Sequence, residues 1–213
     1  MMPMFHRLRA QTAAAEGFSL IEMMLVVGII GVLAAITVPM SGNAVRYIKV
    51  SGDARNLSNA TAVTKMRAAA KFTQARLYVD ITGKSFYVQT FDKTVSVACP
   101  TGCWVTDGGA TSLASTVSFG FGPVATPPAN TQTTILNSSA CMNTAATPVA
   151  IANTSCIIFN SRGLPVDATG SPTGDNALYI TDSTAVYGVT VGATGFVRLW
   201  RTNYTSTPSW SQQ

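Results

Sequence analysis

The sequence predicts an α+β protein in which a long N-terminal helix precedes an antiparallel β-sheet head and packs on it. Three observations lead to this fold class. An apolar run without charge occupies residues 23–40, and helical periodicity continues from Val45 to Ala70. The rest of the chain alternates short β-rich runs with turn residues. The helix therefore has two halves of different character, and the head follows it.

Composition limits the chain to one globular domain with an extra segment. Its 213 residues are few for two average domains. Charged residues make up only 11%, unlike the Lys- and Glu-rich surface of an ordinary cytosolic enzyme. The net charge of +5 comes mainly from the stretch between Arg46 and Arg76, and the part after Pro100 carries more acidic than basic residues. The charge distribution therefore does not indicate a nucleic-acid-binding domain.

The apolar run is long enough to span a bilayer. From Met23 to Met40, about 18 residues carry no charge, near the lower limit for crossing a hydrocarbon core of roughly 30 Å. A core helix of a soluble domain would show polar residues every third or fourth position. A secretory signal peptide is another alternative, but Glu22 interrupts the start of the run and no Ala-x-Ala cleavage site follows it. We therefore expect the helix to remain in the mature protein as a membrane span.

A hydrophilic leader precedes the apolar run. Arg7 and Arg9 lie in it, and this asymmetry of positive charge is expected to keep the leader in the cytoplasm. Gly17 ends the leader and is followed by Phe18-Ser19-Leu20-Ile21-Glu22 and the apolar helix. This arrangement resembles the class III signal of type IV pilins and type II secretion pseudopilins. The family has a small residue before the cut, an aromatic residue after it and a glutamate at the fifth position of the product.

The resemblance implies a processing step and a role for the glutamate. A prepilin peptidase would cut between Gly17 and Phe18 and then N-methylate the new Phe18 amine. A carboxylate within a membrane segment costs roughly 2.5 to 3.5 kcal/mol on insertion scales. The amine of a neighbouring subunit would neutralise Glu22 when subunits stack into a filament. The alternative is that Glu22 extends to the lipid headgroups in the unassembled subunit.

The helix is expected to change character after the apolar run. Pro39 is the candidate kink, and Ser41 and Gly42 weaken the helix beyond it. An apolar stripe then recurs near the helical spacing, at Val45, Ile48, Gly52, Leu57, Ala60, Val63, Met66 and Ala70. We expect this stripe to pack on the sheet. Basic residues such as Lys65 and Lys71 are expected on a solvated outer face.

The remaining sequence predicts short strands joined by turns. Runs at 76–81 and 85–91 flank Thr82-Gly83-Lys84 and indicate a hairpin. Later candidate strands lie at 94–98, 117–121, 156–159, 177–181, 185–191 and 196–200. The region 122–148 is rich in Thr, Ala, Asn and Pro, so we expect an exposed insertion that buries little apolar surface.

The C-terminal part carries a second resemblance. The segments "CIIFNSRGLPVDATG", "NALYITD" and "AVYGVTVGATGFVRLWR" are similar to the C-terminal half of the GspH/FimT family. The last turn of that family is usually closer to Thr-Gly-Arg-Val-Arg, and here Phe196 replaces the first arginine. Arg198 and Arg201 remain as candidate DNA contacts of the branch that supports natural transformation. The lost arginine argues against DNA capture, and lone strand arginines are more often surface residues.

Four cysteines lie beyond the helix, on the expected exported side. Cys99, Cys103, Cys141 and Cys156 allow three disulfide pairings, and nearest-neighbour pairing needs the smallest loops. Each disulfide would stabilise an exported, loop-rich domain by roughly 2 to 4 kcal/mol. A tetrahedral zinc site is the alternative, because Cys-x3-Cys precedes a second pair.

The sequence lacks the residue sets of an enzyme. Its one histidine, His6, lies in the leader, so no catalytic triad or Cys-His pair would remain after cleavage. No phosphate-binding loop, dinucleotide fingerprint or metalloprotease motif stands out. Asp167 and Asp175 lie among Gly, Ser and Thr and fit turns better than a calcium site. We expect a non-enzyme without cofactor or metal.

Two functions of the pilin-like class fit these expectations. The first is a minor pseudopilin of a type II secretion filament, and the second is a type IV pilus minor pilin for assembly, adhesion or DNA uptake. The resemblance implies four segments: a leader at 1–17, a membrane helix at 18–40, an amphipathic helix at 41–75 and an exported head at 76–213. The expected location is the bacterial inner membrane, with the head in the periplasm. The expected partners are the prepilin peptidase, other pseudopilins or pilins, and an inner-membrane assembly platform.

Overall fold

A computed structural model describes residues 17–96, 99, 102–145 and 147–213, without the side chains of residues 38–41 and 43. The chain divides into two compact units, one ending at Ala44 and the other covering Val45–Gln213. One helix, α1 (Leu20–Ala70), begins in the first unit and ends in the second. The β structure belongs to the second unit.

The strands of the second unit are short. In chain order they are β1 (Ala75–Asp80), β2 (Ser85–Asp92), β3 (Cys103–Thr106), β4 (Thr111–Ser112), β5 (Ser118–Phe119), β6 (Thr154–Phe159), β7 (Pro165–Val166), β8 (Asn176–Thr181), β9 (Ala185–Val191), β10 (Val197–Asn203) and β11 (Ser211–Gln212).

These strands form antiparallel sheets, so the fold class is α+β. The first sheet has the order β3-β2-β1-β6-β7, with β4 also paired to β2. The second sheet has the order β11-β10-β9-β8-β5. The expectation of one sheet was wrong, because β6 returns to pair with β1 and the strands from β8 onward pair with each other instead.

The second half of α1 packs between the two sheets. Its fully buried residues are Val50, Ala54, Leu57, Thr61, Thr64 and Ala68, at alternating spacings of four and three. They join one core with the inner residues of the first sheet, such as Leu77 and Ile157, and of the second sheet, such as Leu178 and Val189. The helix therefore fills the space that two sheet faces enclose.

The predicted apolar stripe of α1 is correct at Leu57, which is fully buried, and at Ala60, which packs on the core, but it is wrong at other positions. Ile48 is 67% exposed and Met66 is 60% exposed, whereas Thr61 and Thr64 are fully buried. The threonines can be buried because Thr61 Oγ1 donates to the carbonyl of Leu57 at 2.8 Å, and Thr64 Oγ1 makes the same bond to the carbonyl of Ala60. Counting only apolar residues misses such threonines, because their hydroxyls are satisfied within the helix.

The predicted hairpin is confirmed. Strands β1 and β2 pair from Ala75↔Thr90 to Asp80↔Ser85. The amide of Gly83 donates to Asp80 Oδ1 at 2.8 Å and closes the turn. The strand expected at 185–191 also forms with those bounds.

Other strand predictions succeed in part. The candidates at 117–121, 156–159, 177–181 and 196–200 all contain strands, with bounds shifted by a few residues. Of the candidate at 94–98, residues 97 and 98 lie outside the described part, and Ser96 forms only an isolated bridge to Cys99. Strands β3, β4, β7 and β11 were not predicted, because they are short and polar or lie beside turns.

The described residues of the region 122–148 are mostly exposed or half-buried, as expected, but the region also buries apolar residues, which was not expected. Val124 and Ile135 are buried and pack with Tyr179 and Val186 of the second sheet, on the side away from α1. The side chain of Gln132 supports this packing, because its Oε1 accepts the Tyr179 hydroxyl hydrogen at 2.8 Å. A few isolated apolar residues in a polar stretch give no periodic signal, which explains why the sequence did not predict their burial.

Residues 137–141 link the two sheets, and we call them the linking segment. The amide of Ser138 donates to the carbonyl of Ala177 in β8, and the amide of Cys156 in β6 donates to the carbonyl of Ser139. Ser155 Oγ also donates to the carbonyl of Ser138 at 2.6 Å. Backbone groups that would otherwise be unpaired at two sheet edges are therefore satisfied by one polar segment.

The buried stripe of α1 predicts a contrast between two helix positions. Leu57→Ala is expected to lower the free energy of unfolding of the head by about 2 to 5 kcal/mol, because it leaves a cavity between the sheets. Met66→Ala, at an exposed position, is expected to change it by less than about 0.5 kcal/mol. Denaturant titration of the full chain in detergent, followed by near-UV circular dichroism, measures both. Equal losses for the two variants would contradict the register described above.

Candidate functional site

The N-terminal part of α1 is the first candidate functional segment. Leu20–Thr37 has a mean hydropathy of 2.5, and none of this window is buried within the chain. It is the one helix of the described residues that is long and apolar enough to cross a membrane. By length and composition, the segment fits a single membrane span or a signal sequence.

The apolar side chains of this segment cover its whole circumference. The exposed fraction of its large apolar residues ranges from 44% at Val26 to 78% at Leu20. None of the described residues outside the helix buries this segment, and a helix that is apolar on every side is stabilised by lipid or by other protein chains around it. Thr37 fits this environment, because its hydroxyl donates to the carbonyl of Leu33 at 3.0 Å.

The residues of the predicted processing site lie at the start of α1. Gly17 and Phe18 precede the helix, and Phe18 is 79% exposed. Glu22 is exposed in the first turn, where the helix dipole favours a negative charge. The helix continues through Pro39, and the kink expected there stays a prediction.

The cysteines form two disulfides. Cys99 pairs with Cys103 and Cys141 pairs with Cys156, with Cα atoms 5.5 and 5.0 Å apart. This is the pairing with the smallest loops, and it uses all four sulfurs that the zinc alternative needs as thiolates. The second disulfide ties the linking segment to β6, so it reinforces the connection between the sheets.

The candidate DNA contacts do not form one patch. Arg198 and Arg201 are three residues apart on β10, so their side chains lie on opposite faces of the strand. Arg201 faces α1, with its guanidinium carbon 5.3 Å from the centre of the Tyr47 ring. Arg198 is exposed and lines a surface depression with Arg55 of α1. Two arginines at one depression are few for a duplex, which presents a row of phosphates.

Two basic residues at the C-terminal end of α1, Arg67 in its last turn and Lys71 just after it, have a partner that the sequence did not predict. Lys71 Nζ lies 2.9 Å from Asp107 Oδ2, and Arg67 Nε lies 3.6 Å from the same oxygen. The hydrogen bond from Lys71, assisted by the charge of Arg67, lowers the pKa of Asp107. The expected solvated outer face is therefore partly paired with an acid from the β3–β4 connection, which helical spacing alone could not show.

Lys65 also has a specific role in packing. Its Nζ donates to the carbonyl of Gly195 at 2.9 Å, and its alkyl chain lies against the turn of Gly163. Both glycines have positive φ angles, 74° and 76°, and a Cβ on Gly195 would collide with the carbonyl of Gly163. The two turns contact each other, and Lys65 joins them to the helix.

Asp167 behaves as a turn former. Asp167 Oδ1 accepts hydrogen bonds from the amides of Thr169 and Ser171 and from the Thr169 hydroxyl. These bonds lower the pKa of Asp167, and the hydrogen bond from the Thr169 hydroxyl has the largest effect. Within the described residues, no group of three or more His, Cys, Asp or Glu side chains could hold a metal ion.

Comparison with protein-family models, with curated proteins and with solved structures finds no match to this chain.

The placement of the two arginines predicts weak DNA binding. The full chain in detergent is expected to show no binding of labelled duplex DNA at micromolar protein and about 150 mM salt, because at most two arginines lie together. A salt series followed by fluorescence anisotropy measures this, with Arg201→Ala as a control that leaves the Arg55–Arg198 pair intact. Micromolar binding that is lost in an Arg198→Ala, Arg201→Ala double variant would contradict the expectation and favour a DNA-uptake pilin.

Proposed function

We propose that this chain is a minor pseudopilin, a structural subunit of the periplasmic filament of a type II protein secretion system. The observation that carries the proposal is the apolar segment Leu20–Thr37, of which no part is buried within the chain and which carries Glu22 in its first turn, four residues after Phe18. A membrane anchor needs only the apolar residues. A carboxylate at its start is expected where another chain supplies a cation.

The exposed segment suits two successive environments. Before assembly, lipid would cover its apolar circumference and Glu22 would reach the headgroups. After assembly, the same side chains would pack against the helices of neighbouring subunits. Because lipid and protein are similarly apolar, the exchange itself gives little driving force, so packing and polar contacts must decide the register.

Glu22 supplies such a polar contact. Removal of the leader would leave a cationic amine on Phe18, a few residues from Glu22 of an adjacent subunit. Pairing would offset the cost of roughly 2.5 to 3.5 kcal/mol that the lone carboxylate carries in the membrane. The carboxylate would therefore disfavour the free membrane state and favour one axial position in the filament.

The head has properties that suit an exported filament subunit. Its two disulfides fit an oxidising compartment. Its core is built on the second half of α1, so the head is held by the same helix that carries the apolar segment. The subunit would act mechanically and would leave catalysis to a separate cytoplasmic ATPase. A type IV pilus minor pilin would share the processing and the helix, but the separation of Arg198 from Arg201 does not favour a DNA-uptake role.

The proposal predicts the N-terminus of the mature protein. Intact-mass measurement of membrane-extracted protein is expected to show a chain that begins at Phe18 and carries one added methyl group. Gly17→Val is expected to abolish cleavage, because a branched side chain occupies the place of the small residue, whereas Ala15→Val serves as a matched control. A chain cut after Ala35, or one that retains the leader in the cells of its own host, would refute the class III interpretation.

A second prediction concerns Glu22. Glu22→Gln keeps the shape of the side chain but removes its charge, so the protein should insert normally yet lose its pairing with a neighbouring amine. Disulfide cross-linking between neighbouring subunits through engineered cysteines in the apolar segment is expected to fall about tenfold, equivalent to roughly 1.4 kcal/mol. Met23→Gln adds the same amide one position later and is the control. Undiminished cross-linking in Glu22→Gln would count against the ion pair while leaving membrane anchoring intact.

A further inference from the structure

A buried arginine lies on the outer face of the first sheet. Arg76 of β1 is only 4% exposed, although it carries a permanent charge. Its Nε donates to Gln89 Oε1 at 2.7 Å, and its Nη1 donates to the carbonyl of Met142 at 2.8 Å. The guanidinium carbon lies 4.3 Å from the centre of the Trp104 ring and 5.4 Å from that of Tyr78.

All of these contacts to Arg76 are neutral. Buried arginines are normally paired with a carboxylate, because an unpaired charge is expensive to remove from water. Burial lowers the pKa of Arg76 to about 10, and the groups that counteract this effect are the tyrosines Tyr78 and Tyr87. Within the described residues, no acid contacts the guanidinium, and its Nη2 makes no hydrogen bond.

A cleft of about 190 Å³ opens beside this guanidinium. Its lining includes Arg76, Trp104, Phe91, Asn143, Thr144 and Pro148. The rings of Phe91 and Trp104 meet edge to face, with their centres 5.1 Å apart. The cleft thus combines a charged group with aromatic and polar side chains.

Apart from Arg76, the polar side chains that line the cleft are uncharged, namely those of Gln74, Asn143 and Thr144. Asn143 Oδ1 accepts hydrogen bonds from the amides of Ala145 and Val149, so its NH₂ group remains available to donate. No Asp or Glu is among the lining residues. The neighbouring Asp167 is held in its own turn by Thr169 and Ser171. A site with one cation, amide and hydroxyl donors, and no acid selects an anion.

We propose that this cleft binds a carboxylate that is attached to an apolar group, either at the C-terminus of a peptide or in a free small carboxylic acid. Because Nε and Nη1 of Arg76 are already bonded, Nη2 is the donor left for a carboxylate oxygen, and a single cation balances a single negative charge. The wall of Phe91 and Trp104 would cover the adjoining apolar group. A phosphate dianion would leave one charge unbalanced, so the site favours a carboxylate. This inference is independent of the proposed filament role, because it concerns only the outer face of the first sheet.

The test uses the full chain in detergent micelles, labelled with 5-fluorotryptophan. Its three tryptophans give separate ¹⁹F signals, and Trp104→Phe assigns the one that belongs to the cleft. Trp200 and Trp210 lie outside the cleft, in β10 and just before β11, and report on the fold of the head. The probes are N-acetyl-glycyl-phenylalanine, its neutral C-terminal amide, and propionate.

We expect the acid dipeptide to shift the Trp104 signal in a saturable manner while Trp200 and Trp210 stay unchanged. The neutral amide is expected to bind at least about tenfold more weakly, because it lacks the charge that pairs with Arg76. If propionate binds as tightly as the dipeptide, the ligand of the cleft is a free small carboxylic acid. If only the dipeptide binds, the source is a peptide terminus. Equal binding of acid and amide, or no saturable shift with any probe, would overturn the proposal.

Two variants separate binding from folding. Arg76→Gln is expected to weaken the binding of the acid dipeptide at least about tenfold. Removal of a buried arginine can also unfold the sheet, so Ala145→Leu provides an independent variant. Ala145 is exposed and lines the cleft. The larger leucine side chain is expected to fill the cleft without touching the core. It should weaken binding by a similar factor with unchanged Trp200 and Trp210 signals. Full affinity in Ala145→Leu would refute the cleft as the binding site.

Discussion

The fold of the head depends on the narrow stripe of α1 that runs from Val50 to Ala68. Every position of this stripe is fully buried, and it faces two sheets rather than one. Small residues, Ala54 and Ala68, keep both sheet faces close to the helix backbone. The two threonines between them return their hydroxyls to the carbonyls of the preceding turn. A helix with larger apolar residues at these positions would force the sheets apart, because a packed interior has no room for added volume.

The long-range connections of the head are made largely by polar groups. Lys65 joins α1 to the turns at Gly163 and Gly195, and the linking segment joins β6 to β8. Polar residues serve in these places because they satisfy backbone groups at sheet edges, which apolar side chains cannot do. A chain with only 11% charged residues can therefore still have a well-specified head. Its many Ser, Thr and Asn side chains supply the hydrogen bonds.

The features that could be predicted from the sequence are local ones. The hairpin of β1 and β2 depends on a turn of four residues, and the apolar segment depends on composition over a window of 18 residues. The register of the buried stripe could not be predicted, because burial there depends on hydroxyls that are satisfied inside the helix. Lys71 looked solvated for a related reason: its partner, Asp107, comes from a distant connection. The Arg76 cleft could not be predicted, because a lone arginine in a strand does not indicate a binding site. The cleft forms only in the folded head, where β2, β3 and the loop at Met142 surround the arginine.

The pairing of β1 with β6 has a consequence for the order in which the head can form. Residues 75–80 reach their second neighbour only at residues 154–159, and the other wall around α1 comes from strands after residue 176. Most of the chain must therefore be present before the helix stripe is covered on both sides. Contacts of such long sequence separation fold slowly, since the entropy of closing the long loop is lost before the contacts stabilise the fold. A nascent head would therefore keep its apolar stripe accessible until its last strands arrive.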